Sequence, residues 1–527
     1  KRIINSMKKL KILITICFLI FISCKEDKPE KRDISVDILI QNGIVYNGIS
    51  DQSNTISIGI KEDKIKYIGD ESNINITAKK IIDASGLIIS PGFIDPHTHA
   101  DKDLNNIDTS QNLPFLMQGV TTVVIGNDGR SFYPISEYKK LYEENGIGTN
   151  AILLVGHGTV RNEVVGNSDK KANKEELKSM QTIIQKEMDA GAFGMSTGLF
   201  YAPGSYASTE EIIALAKIAA KNDGIYDTHL RDESAYNIGL IPAIEEAIEI
   251  GRQSKLPIHI SHIKCLGVDS WHKSDAIVTI INNARKEGID VTANQYPYDA
   301  SATSLKASVV PRWAESGGID SLLLRFETSS LKDQILKETK INIVRRGGAH
   351  KLLIVKAEEA SFVGKNLLEI SKELNMTPEE SVFSILKLGP VKVASFNMIP
   401  DDIYTFMKQK WVVTGSDGGS GHPRKYGTFP RKYNTYVKEE KQISISQFIN
   451  NSTSRTAEIL KIKNRGILKE GNYADIIIFN PETFKDLADY TDAFQFAQGL
   501  EYSIINGKIS VEKGTATKLL NGKVLKK

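Results

Sequence analysis

The sequence predicts an α/β fold, a (β/α)8 TIM-like barrel joined to a small β-sandwich domain that both chain termini form. Three observations support it: a length of 527 residues, strand-like and helical stretches that alternate through the middle of the chain, and short strand patterns confined to its two ends. The length exceeds the ~250 residues of a typical barrel, which leaves room for a smaller companion domain.

The first 24 residues are typical of a lipoprotein signal peptide. Five positive charges and no acidic residue precede an apolar run over residues 12–22. This run is too short to span a bilayer, which takes ~20 residues. Ser23-Cys24 resembles the end of a bacterial lipobox, which makes Cys24 the expected lipidation site. We therefore expect export and a lipid anchor on the periplasmic or surface face of a bacterial membrane, with a plain secreted protein as the alternative.

Charge and cysteine usage narrow the classes of partner. The formal net charge of +3 falls to about −2 once the five positive charges of the signal segment are removed, so no general attraction to nucleic acid is expected. Cys265 is then the only cysteine besides Cys24, which leaves no internal disulfide. The charged stretch over residues 25–34 is predicted to be a linker.

We predict that the small β-sandwich domain comprises residues 35–90 and 465–527. Residues 36–41 and 44–46 alternate as strands on either side of Asn42-Gly43, which predicts an antiparallel hairpin. Near the other end, residues 474–508 repeat the strand pattern and contain a second Asn-Gly pair. One domain built from both ends is the economical explanation.

Residues 91–464 are predicted to form the barrel, because apolar strand-like runs alternate with helical stretches there. The strand-like runs include 121–125, 151–155, 194–197 and 258–261, and the helical stretches include 174–190, 209–222 and 241–253. Residues 301–364 break this rhythm. We expect an insertion there that helps to cover the mouth of the barrel.

Four histidines follow strand-like runs of the barrel. His97 and His99 stand two residues apart, so they point the same way on a strand and can present two imidazoles to one cation. His229 and His262 end two further runs. Strand ends meet at the mouth of a barrel, where such enzymes keep their sites, so a shared metal site is favoured over unrelated, hydrogen-bonded histidines.

Three other residues have two interpretations each. His259 lies off the face of His262 and is expected to pack or to support a ligand. His157, at another strand end, fits a substrate contact and a loop structure equally well. Asp417 stands between an apolar strand and two glycines, so it is either an exposed carboxylate at the mouth or an ordinary turn residue.

Together these segments resemble one family, the N-acyl-D-amino-acid deacylases (D-aminoacylases) of the metal-dependent amidohydrolase superfamily. The resemblance runs from about residue 36 to 508 and implies the barrel-plus-sandwich fold. It rests on Pro-Gly-Phe-Ile-Asp-Pro-His-Thr-His at 91–99, Gly-Val-Thr-Thr-Val-Val at 119–124, 191–201, Thr-His-Leu-Arg at 228–231, Ile-Ser-His-Ile-Lys at 260–264, Tyr-Pro-Tyr at 296–298, Ser-Asp-Gly at 416–418, and 422–431.

The resemblance implies a zinc centre. It makes His229 and His262 ligands of a tightly held zinc, and His97 and His99 ligands of a second metal position. The family often has a bridging cysteine where this chain has Asp128, in Gly-Asn-Asp-Gly at 126–129. A carboxylate can also hold or bridge zinc, but it is harder than a thiolate, so the preference shifts toward Mn²⁺ or Co²⁺. The alternative for Asp128 is a turn residue.

Hydantoinases and dihydroorotases of the same superfamily usually bridge two metals with a carbamylated lysine on a barrel strand. The candidate strand in this chain, residues 191–198, contains no lysine. The sequence therefore argues against a carbamate-bridged site.

The resemblance also implies an activity, the hydrolysis of the acyl C–N bond of a small N-acyl-D-amino acid or related amide. Asp417 would act as the acid/base, taking a proton from water and passing it to the departing nitrogen. The carboxylate of the product needs cationic or hydroxyl partners. The family nominates Tyr201, Lys264, Arg424 and one tyrosine of the Tyr-Pro-Tyr segment, for which we choose Tyr298.

Two competing functions stay open. One is a hydrolase of the same fold that acts on a D-residue dipeptide, a cyclic amide or a lactone. The other is a non-catalytic surface lipoprotein that keeps the scaffold for binding, although loss of activity would first remove Asp417 or the histidines, and all are present. The preferred side chain and acyl group do not follow from these motifs.

Overall fold

The computed structural model describes residues 32–419 and 421–527. The predicted signal peptide, its Cys24 and residues 25–31 of the predicted linker lie outside the described residues. Within the described ranges, no helix is both long enough and apolar enough to cross a membrane. The linker prediction ended too late, because a strand starts at Arg32, where Arg32 already pairs with Ile74 in a parallel ladder.

Two sheets form the sandwich, as predicted, and both chain ends contribute to it. The first sheet contains, in spatial order, Lys64–Gly69, Ser57–Lys61, Arg32–Gln41 and Ile74–Asp83. The second contains Thr515–Ala516, Lys508–Glu512, Leu500–Ile505, Ile476–Phe479, Ile88–Pro91, Ile44–Val45 and Asn54–Thr55. Their facing sides bury a shared aliphatic core that includes Ile40, Ile58 and Ile476.

The predicted hairpin at Asn42-Gly43 is wrong. The strands before and after this pair belong to different sheets, so the turn carries the chain across the sandwich. Asn42 adopts a left-handed backbone with φ of 64°, and its amide donates to Asp83 over 2.9 Å. The second pair, Asn506-Gly507, does close a hairpin, because Ile505 pairs with Lys508. An Asn-Gly turn signal is local and does not specify which strand becomes the partner.

Eight parallel strand positions form the barrel. They are β1 (Phe93–Asp95), β2 (Val120–Ile125), β3 (Asn150–Leu153, continued by Val155–Gly156), β4 (Met195–Gly198), β5 (Tyr226–His229), β6 (Ile258–Ile260), β7 (Val291–Gln295) and β8 (Val412–Thr414). Neighbouring strands pair in sequence order. The ring closes just past β8, where the Ser416 amide donates to Asp95 over 3.0 Å.

Helices surround these strands. The longer ones lie close to the predicted bounds, at Lys174–Asp189, Thr209–Lys221 and Leu240–Ser254. The others are Asp101–Asn105, Leu113–Leu116, Ile135–Asn145, His157–Val164, Ser274–Lys286, Pro400–Met407, Arg424–Arg431, the wider turns of Lys432–Glu439, Ile445–Ser452 and Ser454–Ile459.

The insertion between β7 and β8 is larger than predicted. It contains a three-stranded antiparallel sheet of Ala300–Ser304, Lys392–Phe396 and Leu352–Lys356, in that order. Its helices are Leu305–Val309, Ile319–Glu327, Ser329–Arg345, Leu367–Glu373 and Pro378–Lys387. These elements bury their own core around Phe383. The expected end of the insertion at residue 364 was wrong. The central strand of its sheet, Lys392–Phe396, comes after the other two strands in the chain, so the insertion extends at least to residue 396.

The last residues of the chain pack on the barrel rather than in the sandwich. Val524 forms a parallel bridge with Ala151 of β3, and the Leu525 amide donates to the Ala151 carbonyl over 2.9 Å. Leu525 also packs on a small apolar cluster that includes Ile152 and Phe193. The sandwich therefore ends before residue 522, whereas Thr517 and Asn521 still hydrogen-bond to its strand Lys508–Glu512.

Candidate metal centre and active site

The predicted chemical residues come together at one end of the barrel, where the parallel strands finish. His229 is the last residue of β5, and the others follow strand ends: His97 and His99 after β1, Asp128 after β2, His262 after β6 and Asp417 after β8. All but His99 are buried. The carboxyl ends of barrel strands are where enzymes of this architecture place their sites.

Four of these residues form a compact donor cluster. His97, Asp128, His262 and Asp417 each offer an atom that lies within 4.8 Å of the others' atoms. Oδ1 of Asp128 lies 3.4 Å from Nε2 of His97 and 3.5 Å from Nε2 of His262. Nε2 of His97 is 3.7 Å from Oδ1 of Asp417.

The donor atoms of this cluster fit a divalent cation. Among the described residues, neither ring nitrogen of His97 nor Oδ1 of Asp128 has a hydrogen-bond partner, although His97 is wholly buried and Asp128 is 6% exposed. An unpaired buried polar group costs about 1–3 kcal/mol. Imidazole nitrogens and carboxylate oxygens suit Zn²⁺, and carboxylates also suit Mn²⁺. A bound metal would therefore satisfy groups that the protein leaves unpaired.

His99 occupies the outer side of the cluster. Its Nε2 lies 3.1 Å from Oδ1 of Asp417 and 3.4 Å from Oδ2 of Asp128, and 35% of its side chain is exposed. Burial alone would lower the pKa of His99, but the two carboxylates outweigh it and raise that pKa to about 10. A cation that takes His99 as a ligand must displace its proton, which weakens binding as the pH falls.

His229 belongs to a second group that shares His262. Its Nε2 lies 3.9 Å from Oε2 of Glu233, while Nδ1 of His262 lies 3.1 Å from Oε1 of Glu233. These three residues also have the spacing of a metal site. The ammonium of Lys264, however, donates to Oε1 of Glu233, so a cation already neutralises this carboxylate. Glu233 is therefore a support for the histidines rather than a ligand.

Sequence reasoning missed Glu233. Burial raises the pKa of this carboxyl, but Lys264 and the two neighbouring histidines lower it further, to well below its usual range. It is therefore an ionised carboxylate, and it is only 5% exposed. The available signal was an acid four residues after a predicted metal-ligating histidine, in Thr-His-Leu-Arg-Asp-Glu at 228–233.

Four of the site residues adopt a left-handed backbone. The φ values are 54° at His99, 54° at Asp128, 35° at His262 and 48° at Asp417. Few residues other than glycine take this conformation, and it costs free energy, on the order of 1–3 kcal/mol each. Each lies within four residues of the end of its strand, and the four side chains are in mutual contact there.

Buried polar residues below the site hold these turns in place. Oδ1 of Asp95 accepts the His97 amide over 3.1 Å and the Ser416 amide over 3.0 Å, which joins the ends of β1 and β8. Burial raises the pKa of Asp95 to about 6. Asp227 accepts from Asn127 over 3.1 Å in the same layer.

His259 supports the site and does not enter it. Its Nδ1 lies 2.9 Å from Oγ1 of Thr292, and its Nε2 lies 2.9 Å from Nδ2 of Asn294. The side-chain oxygen of Asn294 accepts the backbone amide of His262 over 2.9 Å. This chain of contacts fixes the end of β6, so the supporting interpretation of His259 agrees with the structure.

His157 belongs to a separate buried network. Its Nε2 lies 2.9 Å from Oε1 of Glu211, whose other oxygen accepts from Arg161 over 2.6 Å. Arg161 also donates to the Lys170 carbonyl over 2.7 Å. These contacts link the helices His157–Val164 and Thr209–Lys221, so the structural interpretation accounts for His157.

Arg424 lies directly beside Asp417. One nitrogen of its guanidinium, Nη2, is 2.7 Å from Oδ2 of Asp417. Nε and Nη1 of Arg424 have no hydrogen-bond partner within the described ranges, although Arg424 is 1% exposed. These two nitrogens flank Nη2 on either side of the planar guanidinium, and their N–H groups are donors suited to an anion. The ion pair with Asp417 thus leaves N–H donors of a buried guanidinium free to bind an anion.

Tyr296, rather than the predicted Tyr298, borders both Arg424 and Lys264. The Tyr296 ring centre is 4.5 Å from the Arg424 guanidinium carbon and 5.7 Å from Nζ of Lys264. Tyr298 packs against Arg431 at 4.8 Å. The Tyr-Pro-Tyr pattern does not distinguish the two tyrosines, and the substrate contact of Tyr298 stays a prediction.

Tyr201 connects the metal centre with the insertion. Its ring centre lies 4.8 Å from that of His229, and its hydroxyl is 3.4 Å from Oγ1 of Thr303 in the insertion sheet. Burial, followed by the negative charge of Asp128, raises the pKa of Tyr201 well above its usual range. The hydroxyl therefore stays protonated and can donate a hydrogen bond to a substrate.

The surroundings of Asp417 keep its carboxylate ionised. Burial raises its pKa, but Arg424 and the neighbouring histidines lower it further, to well below its usual range. The ionised carboxylate lies within reach of both the donor cluster and Arg424.

Comparisons with known proteins agree with this geometry. A model described as the amidohydrolase family matches residues 80–511. The chain is 30% identical over 498 residues to a D-aminoacylase of Alcaligenes xylosoxydans xylosoxydans, which covers 89% of this chain and 93% of that protein.

Two solved structures of deacylases have a fold similar to that of this chain. A crystal structure of D-aminoacylase has a TM-score of 0.80 at 29% identity, covering 93% of this chain and 100% of the other. The N-acyl-D-glutamate deacylase of Bordetella bronchiseptica, complexed with zinc and a phosphonate that mimics the tetrahedral intermediate, has a TM-score of 0.79 at 26% identity, covering 94% and 100%. The chain is an amidohydrolase enzyme acting on C–N bonds other than peptide bonds, and it belongs to the D-aminoacylase family.

Proposed function

We propose that this enzyme hydrolyses N-acyl-D-amino acids to a carboxylate and a free D-amino acid. The observation that carries the proposal is the contact of Arg424 with Asp417, since it sets free guanidinium N–H donors next to an ionised carboxylate and a metal-ligand cluster. An N-acyl-amino acid has one amide and one carboxylate a few bonds apart, which matches this spacing. The preference for D-residues rests on the named relatives.

We assign the metal to zinc, held by His229 and His262 with Asp128, and place a second position at His97 and His99. When bound, the metal supplies Lewis acidity, which makes water a stronger nucleophile at neutral pH and polarises the acyl carbonyl. Because Asp128 is a carboxylate, Mn²⁺ and Co²⁺ are also acceptable occupants. Elemental analysis of the purified protein tests the assignment.

Asp417 carries the proton in the reaction. As an ionised carboxylate it accepts a proton from the attacking water, and it then donates that proton to the nitrogen as the C–N bond breaks. The electron pair of that bond leaves with the nitrogen, so the amino acid departs as a neutral amine. Arg424 stabilises the ionised form of Asp417 before each turnover.

Arg424, Lys264 and Tyr296 orient the substrate through its carboxylate. The free N–H donors of Arg424 can bind this carboxylate, and Lys264 adds a second positive charge beside the same Tyr296 ring. Holding the carboxylate at this point sets the amide nitrogen near Asp417. The Tyr201 ring lies beside His229 of the metal centre. We assign its hydroxyl to the acyl side of the amide.

The test is a paired panel of N-acetyl-D and N-acetyl-L amino acids, with metal content measured on the same sample. We expect turnover of D-substrates only, and loss of turnover in Asp417→Asn with metal retained. Turnover of neither enantiomer by a metal-loaded sample would overturn the substrate assignment. Turnover of cyclic amides instead would identify the hydantoinase-like alternative.

We also propose export and lipid anchoring at Cys24. The support is the charge and hydropathy pattern of residues 1–24. Detergent-phase partitioning of the full chain, compared with Cys24→Ala, tests it: the anchor is supported if only the variant stays in the aqueous phase. Equal partitioning of the two would contradict it.

A further inference from the structure

His422 is a fully buried histidine that no step of the proposed reaction uses. It is 0% exposed and stands two residues before Arg424, which begins the helix Arg424–Arg431. The rings of Tyr298 and Tyr490 contact its ring nearly edge-on, with centres 5.4 Å and 5.1 Å away. The imidazole therefore cannot turn freely, and each of its ring nitrogens faces a fixed neighbour.

Two hydrogen bonds define the protonation of this ring. Nδ1 accepts the backbone amide of Arg424 over 3.1 Å, and Nε2 donates to the carbonyl oxygen of Ala300 over 3.1 Å. A backbone amide can only donate and a carbonyl oxygen can only accept, so the ring is neutral and carries its proton on Nε2. Burial, followed by the charge of Arg424, lowers the pKa of His422 well below its usual range, which keeps the ring in this form.

The Nδ1 contact supports the start of the helix that carries Arg424. The first amides of an α-helix have no partner within the helix, and a buried amide without a partner costs free energy. His422 satisfies two of them, because its ring accepts from Arg424 and its carbonyl oxygen accepts the amide of Lys425 over 3.3 Å. Arg424 is therefore held at both ends, its backbone by His422 and its guanidinium by Asp417.

The Nε2 contact ties the same turn to the insertion. Ala300 begins a strand of the insertion sheet, and this strand also brings Oγ1 of Thr303 within 3.4 Å of the Tyr201 hydroxyl. One strand of the insertion thus contacts two parts of the proposed substrate site, Tyr201 directly and Arg424 through His422. A shift of this strand would move the acceptor on which the Arg424 backbone depends.

We propose that His422 is a positioning residue, which places Arg424 for the substrate carboxylate and makes this placement depend on the insertion strand Ala300–Ser304. It acts through Arg424, because both of its ring nitrogens already have protein partners. The proposal rests on the proposed function, in which Arg424 binds the carboxylate of an N-acyl-D-amino acid. Replacement of His422 should therefore weaken substrate binding more than it slows the chemical step.

Two replacements can each keep one of the two hydrogen bonds. His422→Asn keeps an acceptor at the δ position, and asparagine side chains readily accept the amide two residues on, which here is that of Arg424. His422→Gln keeps a donor at the ε position for Ala300 but loses the acceptor for Arg424.

The experiment measures KM and kcat for the N-acetyl-D-amino acid that is turned over fastest. We expect KM to rise at least tenfold in His422→Gln and two- to fivefold in His422→Asn, with kcat changed less than threefold in both. His350→Gln replaces an exposed histidine of the insertion, and this matched control should change neither constant. Equal KM values in the Asn and Gln variants would overturn the role of Nδ1. A KM in the Asn variant equal to that of the wild type would overturn the dependence on the insertion.

A substrate without a carboxylate distinguishes positioning of Arg424 from general damage to the fold. The N-acetyl amine with the same side chain keeps the scissile amide but offers Arg424 no carboxylate to bind. His422→Gln should lower kcat/KM for the amino acid derivative at least tenfold more than for the amine derivative. An equal loss for the two substrates would mean that His422 only stabilises the fold, and the proposal would fail.

Calorimetry separates a failure of this proposal from a failure of the proposed function. If the wild-type enzyme hydrolyses N-acetyl-D-amino acids and KM is unchanged in His422→Gln, only the positioning role is wrong. If no N-acyl-D-amino acid is hydrolysed, the same compounds are stable ligands whose Kd can be measured directly. A Kd at least tenfold higher in the variant would then support the positioning role although the reaction is wrong. An equal Kd, or no binding to either protein, would overturn both.

Discussion

Nη2 of Arg424 lies 2.7 Å from Oδ2 of Asp417, and both side chains are almost completely buried. The residue that would bind the substrate carboxylate is thus in direct contact with the residue that would move the proton. A buried, hydrogen-bonded ion pair of this kind keeps Asp417 ionised and fixes the orientation of the guanidinium. Binding and proton transfer are therefore coupled through one contact.

Arg424→Lys should raise KM more than it lowers kcat. Lysine keeps the positive charge but loses the planar guanidinium with its free N–H donors, and a hydrogen bond to a charged group contributes about 1.5–3 kcal/mol. We expect KM to rise roughly 10- to 100-fold. Steady-state kinetics with an N-acetyl-D-amino acid measures it, and an unchanged KM would contradict the assigned role.

Asp417→Asn should abolish turnover and keep the metal. General acid–base catalysis contributes roughly 10²- to 10⁴-fold in rate, so kcat should fall by at least a hundredfold. The assigned zinc ligands His229, His262 and Asp128 remain to hold the cation. Metal content measured with kcat distinguishes lost proton transfer from lost metal, and loss of both would reassign Asp417 as an essential ligand.

Glu233→Gln should weaken metal binding although Glu233 is not expected to touch the metal. The variant removes the charge that lies 3.1 Å from Nδ1 of His262 and leaves Lys264 unpaired beside that ring. Loss of a partner of this kind typically costs 10- to 100-fold in metal affinity. Competition with a chelator measures the affinity.

The matched control for that experiment is Glu249→Gln, because Glu249 is an exposed acid on the outer helix. It should leave the affinity for the metal unchanged. An equal affinity in Glu233→Gln and wild type would show that Lys264 and His262 are positioned without this carboxylate.

The free energy of unfolding should increase as the pH rises above 7, because Lys432 is buried and loses its proton there. This lysine is 1% exposed, its ammonium donates to Oγ1 of Thr414 over 3.1 Å, and burial lowers its pKa to about 7. The unfolded chain, with a lysine pKa near 10.5, binds more protons between these two values. The free energy of unfolding therefore rises through that interval, by about 5 kcal/mol.

Lys432→Met should remove this pH dependence and raise the melting temperature at pH 6.5, since it no longer buries an ammonium group. Melting curves at pH 6.5 and pH 9.5 measure both effects. Lys140→Met, at a position whose side chain is 75% exposed, is the control. A lower melting temperature of Lys432→Met at pH 6.5 would show that the ammonium stabilises the barrel.

The meeting of these histidines at one end of the barrel could be predicted because strand ends are local features of the sequence. His97, His229 and His262 each follow an apolar run, and in a closed parallel barrel such positions meet at one mouth. The general architecture was predictable for the same reason, since alternating strands and helices admit few topologies.

The remaining features depend on contacts that no local pattern encodes. Glu233 is important because a loop brings it to Lys264 and His262. That Tyr296 rather than Tyr298 borders Arg424 depends on where the helix Arg424–Arg431 places its first residue. The hairpin predicted at Asn42-Gly43 failed because pairing is decided by distant strands.

The seven-stranded sheet pairs the first and last parts of the chain, and this has a consequence for synthesis. Pro91 pairs with Ile476, about 385 positions later, so Ile88–Pro91 has no partner on that side until most of the chain has been made. An apolar strand with an open edge is an aggregation hazard. A nascent chain that stops before residue 476 would expose this edge, so we expect truncated products to need chaperone protection or to be degraded.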